Sequence, residues 1–582
     1  MVYRIPILKK TFLTNSVFLA LAVSLSAIAP LSAAPSIASP GIYNAASYAL
    51  AAFPNGGIAQ GSIFVVFGSG MGPATIVYNS SLPYQTSLGG TSVTVTVNGT
   101  PVPCLMYYTS AGQLAAILPS TTPTGIGTIT VTYNGATSPA AQIAVVKSAL
   151  GLFSVSQAGS GPGVIQNSAG AYNALTNTFQ PNQEVVFWGT GLGPVAGSDA
   201  TTPPVQTGAF PPDTTVTANI GGQNAVVQYA GRSGYAGEDQ INVTIPSGVT
   251  GCYVPVYMTV NGVPSNFVSM SISTTGSVCS DANLYSSANL QNVASGGTLR
   301  TGGVILEQYA LSVSLPGIPI LIPPEESEEG TGTFSKYTAI TFLGSQGGLG
   351  NLAVSSGCMV FTYSGSTYAD PVAPTAGLDA GTKLNLTGPN GTQPLTKNST
   401  GNYSATFVTP SLNLTGTAPP DFLTPGTYTL DNGTGGADIG AFKVNLTVPP
   451  PVTWSNKSLV TTVPRTQPLT ITWTGGAANG MVYITGISPL AVNASTETIL
   501  GAGQFQCVAP ASAGTFAVPA GILSALPPSA SISASTPLGN ITVPGGIIIV
   551  SSQAATSATV PGLDVFLTGA SSGDGKIGVT FQ

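Results

Sequence analysis

The feature that most constrains this chain is a turn written twice. Val66-Phe67-Gly68-Ser69-Gly70-Met71-Gly72-Pro73 returns as Val186-Phe187-Trp188-Gly189-Thr190-Gly191-Leu192-Gly193-Pro194. Before each turn stands a run of β-branched and aromatic residues, which reads as a buried strand. Glycine at alternate positions lets the backbone take positive φ or approach a neighbouring chain closely. The proline that follows stops a central strand. Gly68, Gly70, Gly72, Gly189, Gly191 and Gly193 are therefore read as structural turn residues. A dinucleotide loop would need a helix next and an acidic residue about 20 positions on. Neither copy shows a helical pattern after its proline, and the stretch from Ala74 to Lys147 holds no Asp or Glu.

The duplication extends beyond the turn. Thr215 to Ile220 repeats Ser92 to Val97, Gln240-Ile241-Asn242-Val243 repeats Gln113-Leu114-Ala115-Ala116, and Asn261-Gly262 repeats Asn134-Gly135. The last two matches share one offset, so that part of the repeat has no gap. Each copy holds about seven short alternating strands in roughly 105 residues, the size of an immunoglobulin-like sandwich. The two copies are expected to have separate cores and to respond separately to Gly70→Val or Gly191→Val.

The paired turn, together with Tyr229-Ala230-Gly231 and Gln240-Ile241-Asn242-Val243-Thr244-Ile245-Pro246, resembles the tandem repeats of a family of exported soil-bacterial proteins. That family is similar to the IPT/TIG group of immunoglobulin-like domains. The resemblance covers about residues 41–275 and implies a fold and an address outside the cell, with no activity to carry over. The first copy departs from the signature, with Tyr107-Tyr108-Thr109-Ser110 and Gln113-Leu114-Ala115 in its place.

The beginning of the chain reads as a Sec-type signal peptide over residues 1–38. Arg4, Lys9 and Lys10 precede an apolar run from Phe12 to Ile28, and small residues follow. Cleavage after Ala34 and after Ala38 are equal candidates. No later stretch holds 18 uninterrupted apolar residues, so no transmembrane segment is expected after leader removal. The remaining divisions are 39–148 and 149–276 for the two repeats, 277–448 for a third β-sandwich-like domain, and 449–582 for a fourth. The prolines Pro449 to Pro451 read as a stiff linker. The fold class is all-β: about four tandem immunoglobulin-like β-sandwiches.

Only 5% of residues are charged, and 73 glycines and 47 prolines punctuate a chain that is 43% hydrophobic. Without the leader's three cations, ten basic residues stand against 19 acidic ones. Such a surface argues against nucleic acid as a partner. The five cysteines contain no C-x-x-C pair. In an exported chain Cys252 with Cys279 is the first candidate disulfide, Cys358 with Cys507 the second, and Cys104 the odd, buried thiol.

There is no histidine, which removes Ser-His-Asp and Cys-His catalysis and the H-E-x-x-H zinc site. No catalytic, cofactor-binding or metal-binding residue is expected. A glycosidase would need two carboxylates flanking a sugar site; Glu238 and Asp239 are candidates, but neighbouring residues face opposite ways and the pair reads as a surface turn. Glu325 to Glu329 reads as a solvated loop, and Asp431 to Asp438 as a glycine-rich turn lacking calcium-loop spacing. Trp188 and Trp473 read as core, while Trp454, after the proline linker, is the exposed aromatic that could stack on a sugar. The chain is thus read as an exported, non-catalytic spacer, adhesin or binding module, secreted or at the cell surface. Its partner would be an extracellular protein or a polysaccharide, the alternative reading being a carbohydrate-binding protein or an accessory chain of a glycoside hydrolase.

Overall fold

The computed structural model describes residues 34–201, 214–279, 285–313, 325–345, 357–364, 372–408, 420–490, 492–493, 498–499, 501–536 and 539–582. The expected leader lies outside them up to residue 33. Period-two alternation sets the layers. In Thr91–Val97, Val93, Val95 and Val97 are sealed inside while the residues between them are half-buried. That strand belongs to a sheet with Gly125–Tyr133 and Ala141–Val146. A second sheet, ordered Ser36–Asn44, Ile63–Ser69, Gln113–Ile117, Leu105–Thr109 and Val77–Tyr78, covers it. Phe64, Val66, Met71, Leu114 and Ile129 fill the space between the two.

The second repeat builds the same elements. Glu184–Thr190 pairs with Asp239–Thr244, as Ile63–Ser69 pairs with Gln113–Ile117, over its own core of Val185, Phe187, Ile241 and Val256. Cys252 and Cys279 are joined, with Cα atoms 5.5 Å apart. The chain is an all-β, multi-domain protein of sandwich units. Its few helices are short, and no helix among the described residues is long and apolar enough to cross a membrane.

Beyond residue 276 the chain departs from two sandwiches in series. A sheet of 14 strands among the described residues crosses residue 449. The final strand, Val565–Phe581, runs parallel to Leu299–Val313 from Val565 to Ile577 and antiparallel to Gly546–Ser557. The spans 277–448 and 449–582 therefore share a sheet, with one core around Leu306, Phe334, Tyr403 and Phe566 and another around Trp454, Trp473, Phe505 and Val550. Cys358 and Cys507 face each other in register on neighbouring strands of that sheet and are bonded. The acidic run does not form a solvated loop. Glu325–Tyr337 is a strand inside the sheet, and Glu328 is fully buried.

The turn glycines meet distinct needs. Gly70 has φ +64°, and Gly191 and Gly193 have φ +111° and +136°. A Cβ on Gly68 would strike the carbonyl oxygen of Ser36, and one on Gly191 that of Ala149. The second turn also touches the first repeat, because Asn44 Nδ2 donates to the carbonyls of Ala149 and Thr190 and would stand 3.1 Å from a Cβ on Gly191. The repeats have separate cores but share hydrogen bonds along this seam, so a linked response is now the expectation. Gly191→Val should cost about 1–3 kcal/mol from backbone strain alone. Scanning calorimetry of the full chain should show the transitions of both repeats moving down. Movement of the second alone would mean the seam contributes nothing. Cys104 is buried and unpaired, and burial raises its thiol pKa far above the ordinary value. Thiol titration should find no reactive cysteine in the native protein and one after unfolding in denaturant.

Candidate functional site: the aromatic face of the first repeat

The seam begins with Arg232 and Asp239, two charges buried beneath the second turn. Arg232 Nη1 donates to Asp239 Oδ1 at 2.6 Å and Nη2 to the carbonyl of Gly193 at 3.1 Å, and the two side chains are 1% and 0% exposed. Asp239 Oδ2 accepts the amide of Leu192 at 2.7 Å. Burial pushes the Asp239 carboxyl up, and Arg232 and the turn amides pull it down. A buried charge is tolerated only when paired and hydrogen-bonded in this way. The surface-turn reading of Asp239 is thus corrected. In the first repeat Gly112 occupies the matching position, and the turn amides of Gly68 and Met71 go to the carbonyls of Gly112 and Ala111 instead.

The pair holds the turn against the first repeat. Asn44 Nδ2 donates to the carbonyls of Ala149 and Thr190, and Ile63 N donates to Thr190 Oγ1 at 2.9 Å. Asp199 accepts from Ser120 N and Ser120 Oγ, both at 2.7 Å. The loop between Arg232 and Asp239 then lies on the outer face of the first repeat's five-stranded sheet. Ala236 packs on Ile63, Val65, Ala115 and Ile117. A side chain on Gly237 would strike Ile63 and Ile117.

The rest of that outer face is aromatic. Tyr43, Tyr48 and Phe67 form one cluster with ring centroids 5.9–6.4 Å apart. Tyr78, Tyr108, Tyr107 and Tyr84 form a chain at 5.6–6.5 Å. Tyr78 is 61% exposed, and Tyr235, at the tip of the docked loop, is 68% exposed. Gln113 Nε2 donates to the Tyr108 hydroxyl at 2.7 Å. A sandwich needs its inner face apolar, not its outer one.

The second repeat shows the difference on the same scaffold. Where the first has Phe67, Ala115 and Ile117, the second has Trp188, Asn242 and Thr244. Its face is an amide network: Trp188 Nε1 donates to Gln166 at 2.9 Å, Gln240 to Asn242 at 2.8 Å, and Asn242 to Glu184 at 3.0 Å. Trp188 therefore lies on the outer face, half-buried, rather than in the core. The fold tolerates either chemistry, so the aromatic face of the first repeat is not a demand of folding.

Glu238 borders this face. Burial pushes its carboxyl up to about 7, the Ser233 hydroxyl opposing and Asp239 adding to the rise. Ser233 Oγ donates to Glu238 Oε1 at 3.2 Å. It does not sit beside a second free carboxylate, since Asp239 is spent on Arg232.

The other residues singled out from the sequence lie elsewhere. Trp454 is 2% exposed within the C-terminal core, with Nε1 donating to Asn456 Oδ1 at 2.8 Å. It is not a sugar platform: its strand lies under the long sheet, and Trp473 pairs with it across Val452–Trp454 and Leu469–Gly475. Trp473 is in the same core. In the Asp431 to Asp438 turn, Asp431 Oδ1 accepts from Gly433 N and Asn385 Nδ2, and Asp438 Oδ2 accepts from Asp379 N. These carboxylates close a turn. The tyrosine face was missed because Tyr107 and Tyr108 straddle a register shift in their strand, which breaks the alternation that marks a face.

No protein-family model matches the chain, and no curated protein matches it. Among solved structures it is similar to domains 5–6 of the S-layer protein SbsC, at 13% identity and a TM-score of 0.16, over 41% of this chain and 100% of that one. It is also similar to SGBP-B of the Bacteroides ovatus mixed-linkage glucan utilization locus, in complex with a mixed-linkage heptasaccharide. That likeness has 11% identity and a TM-score of 0.13, over 81% of this chain and 92% of that one. A third is the chicken CNTN1 FN1–FN3 domains, at 8% identity and a TM-score of 0.11, over 71% and 98%. Likenesses this distant carry no function, and the site is argued from its own residues.

Folded-state elevation of the Glu238 pKa has a definite sign. The neutral carboxyl is favoured in the folded protein, so its contribution is full below the unfolded value near 4.5. It is lost as pH rises through about 7. The melting temperature of the repeats should fall between pH 5 and pH 8, and Glu238→Gln should flatten that fall. An unchanged slope in the variant would assign the pH dependence to other carboxyls.

Proposed function

We propose that this chain is an exported, non-catalytic binding module in which the sandwich units act as a spacer and the first repeat carries the contact surface. The ligand of that surface is an uncharged polysaccharide. The observation that carries this reading is the tyrosine face, present in the first repeat and replaced by amides in the second. Half-exposed aromatic rings edged by hydroxyls offer an apolar flat surface and hydrogen bonds together, the pairing that suits a sugar ring. Scarcity of cations in the chain favours a neutral polymer over an anionic one. Export rests on the leader and on the resemblance to exported IPT/TIG-like proteins. Cleavage after Ala34 would leave the strand Ser36–Asn44 whole, and cleavage after Ala38 would remove Ser36 and Ile37 from their pairing with Ser69 and Gly68.

Affinity electrophoresis of the full chain in gels containing neutral polysaccharides tests the reading. Retardation by at least one polymer is expected. Tyr78→Ala and Tyr108→Ala should each weaken binding by about three- to tenfold, the worth of one aromatic contact. Trp188→Ala, on the matching face of the second repeat, should leave binding nearly unchanged. Binding indifferent to both tyrosines, or no retardation by any polymer, would remove the sugar-binding role.

A further inference from the structure

The two cores of the C-terminal half lie on one face of the long sheet, and between them that face turns polar. Glu328, Gln308 and Ser572 form one row across three strands, and Glu326, Ala310 and Asp574 form the next. The first row is satisfied internally. Ser572 Oγ donates to Gln308 Oε1 at 3.2 Å and Gln308 Nε2 to Glu328 Oε1 at 3.1 Å, while Glu328 Oε2 accepts the amides of Phe422 and Leu423. The second row contains Asp574 beside the sealed Val550. Its partner comes from the other end of the C-terminal unit.

That partner is Lys457, in the single turn Lys457–Leu459 that follows the strand Val452–Trp454. Lys457 Nζ contacts Asp574 Oδ1, and the two side chains are 24% and 13% exposed. Asp574 Oδ2 accepts the backbone amide of Trp454 at 3.2 Å. Lys576, 6% exposed, donates from Nζ to the carbonyl of Lys457 at 3.3 Å. The arrangement holds an amine against a carboxyl carbon, a hydrogen-bond donor on that carbon's second oxygen, and a further cation beside the amine.

We propose that Lys457 and Asp574 become joined after folding by an amide bond between Lys457 Nζ and Asp574 Cγ. The bond would tie the start of the last unit to its final strand across 117 residues. The lysine nitrogen, once deprotonated, attacks Cγ, and the Cγ–Oδ1 bond breaks. Nitrogen gives up two protons in passing from ammonium to amide, and Oδ1 leaves with both as water. No oxidant, cofactor or other reactant is needed.

Three neighbours favour the step. Burial, and after it the charge of Lys457, hold the Lys576 pKa below the ordinary lysine value, so Lys576 is a candidate base beside the Lys457 backbone. The Trp454 amide stabilises charge developing on Oδ2. Glu326 stands on the same row, separated from Asp574 by the small Ala310, and can relay protons. Burial, with the charges of Asp421, Glu328 and Asp574, pushes its carboxyl up to about 7, toward the range where a carboxyl can both take and give a proton. Folding supplies proximity, which turns an otherwise bimolecular condensation into an intramolecular one.

Mass spectrometry of the full chain decides the matter. After reduction, alkylation and digestion, the wild type should yield a branched peptide joining the Lys457 and Asp574 segments, lighter than their sum by one water. Its intact mass should fall one water below that of its sequence, and Lys457→Arg should restore the full mass. Glu326→Gln should slow formation and leave a mixture of the two masses. Two separate linear peptides in the wild type, each at full mass, would show an ion pair only and overturn the proposal. That outcome needs no variant to fold. Complete linkage in Glu326→Gln would overturn the relay role of Glu326.

Discussion

The C-terminal half depends on one ladder. Val565–Phe581, the last strand of the chain, is hydrogen-bonded on one side to Gly546–Ser557 and on the other to Leu299–Val313. Its early residues, Phe566 and Ala570, fill one core, and its late residues, Val579 and Phe581, fill another. Neither core can close until that strand arrives, and its parallel partner lies more than 250 residues earlier. Closing so long a loop costs little more entropy than closing a moderate one, because the cost grows only with the logarithm of length. The energy comes from the backbone ladder and from the apolar side chains sealed on either side of it.

The N-terminal half is organised by a different constraint, a buried ion pair. Arg232 and Asp239 would be costly to bury separately. Together they satisfy the amide of Leu192 and the carbonyl of Gly193, hold the second glycine turn in shape, and present Thr190 and Ala149 to the first repeat. The turn that opens the repeat motif is thus also the joint between repeats. One consequence is the position of the loop carrying Tyr235 and Glu238, which lies across the first repeat's outer sheet and borders its tyrosines. Fold, joint and proposed contact surface are linked through a single pair of charges.

The long sheet shows how few charges this chain needs and where it spends them. The run Glu325 to Glu329 lies in a central strand, where Glu328 is buried while Glu329 stays exposed. Glu328 is accommodated because backbone amides and Gln308 answer both its oxygens. Asp574 and Lys457 answer each other. The face between the two apolar cores is polar because both cores end there. A strand long enough to serve both must carry polar residues in its middle.

Much was legible in the sequence by itself. Alternation in Thr91–Val97, the doubled glycine turn and the Asn-Gly turns determined two sandwiches, because period two and positive φ are local properties of a few residues. The apolar setting of Cys104 likewise pointed to burial. Tertiary structure alone decided the rest. The ladder joining Leu299–Val313 to Val565–Phe581 cannot be seen locally, since parallel pairing leaves no mark on either strand. Glu325 to Glu329 looked solvated because an acidic run normally is, and the burial of Glu328 rests on the amides of Phe422 and Leu423 and on Gln308, none of them near it in sequence. Trp454 looked exposed because it follows three prolines, yet the long sheet covers it. The tyrosine face was hidden because a face is a property of several strands at once, and Tyr43, Phe67, Tyr78 and Tyr108 come from four of them.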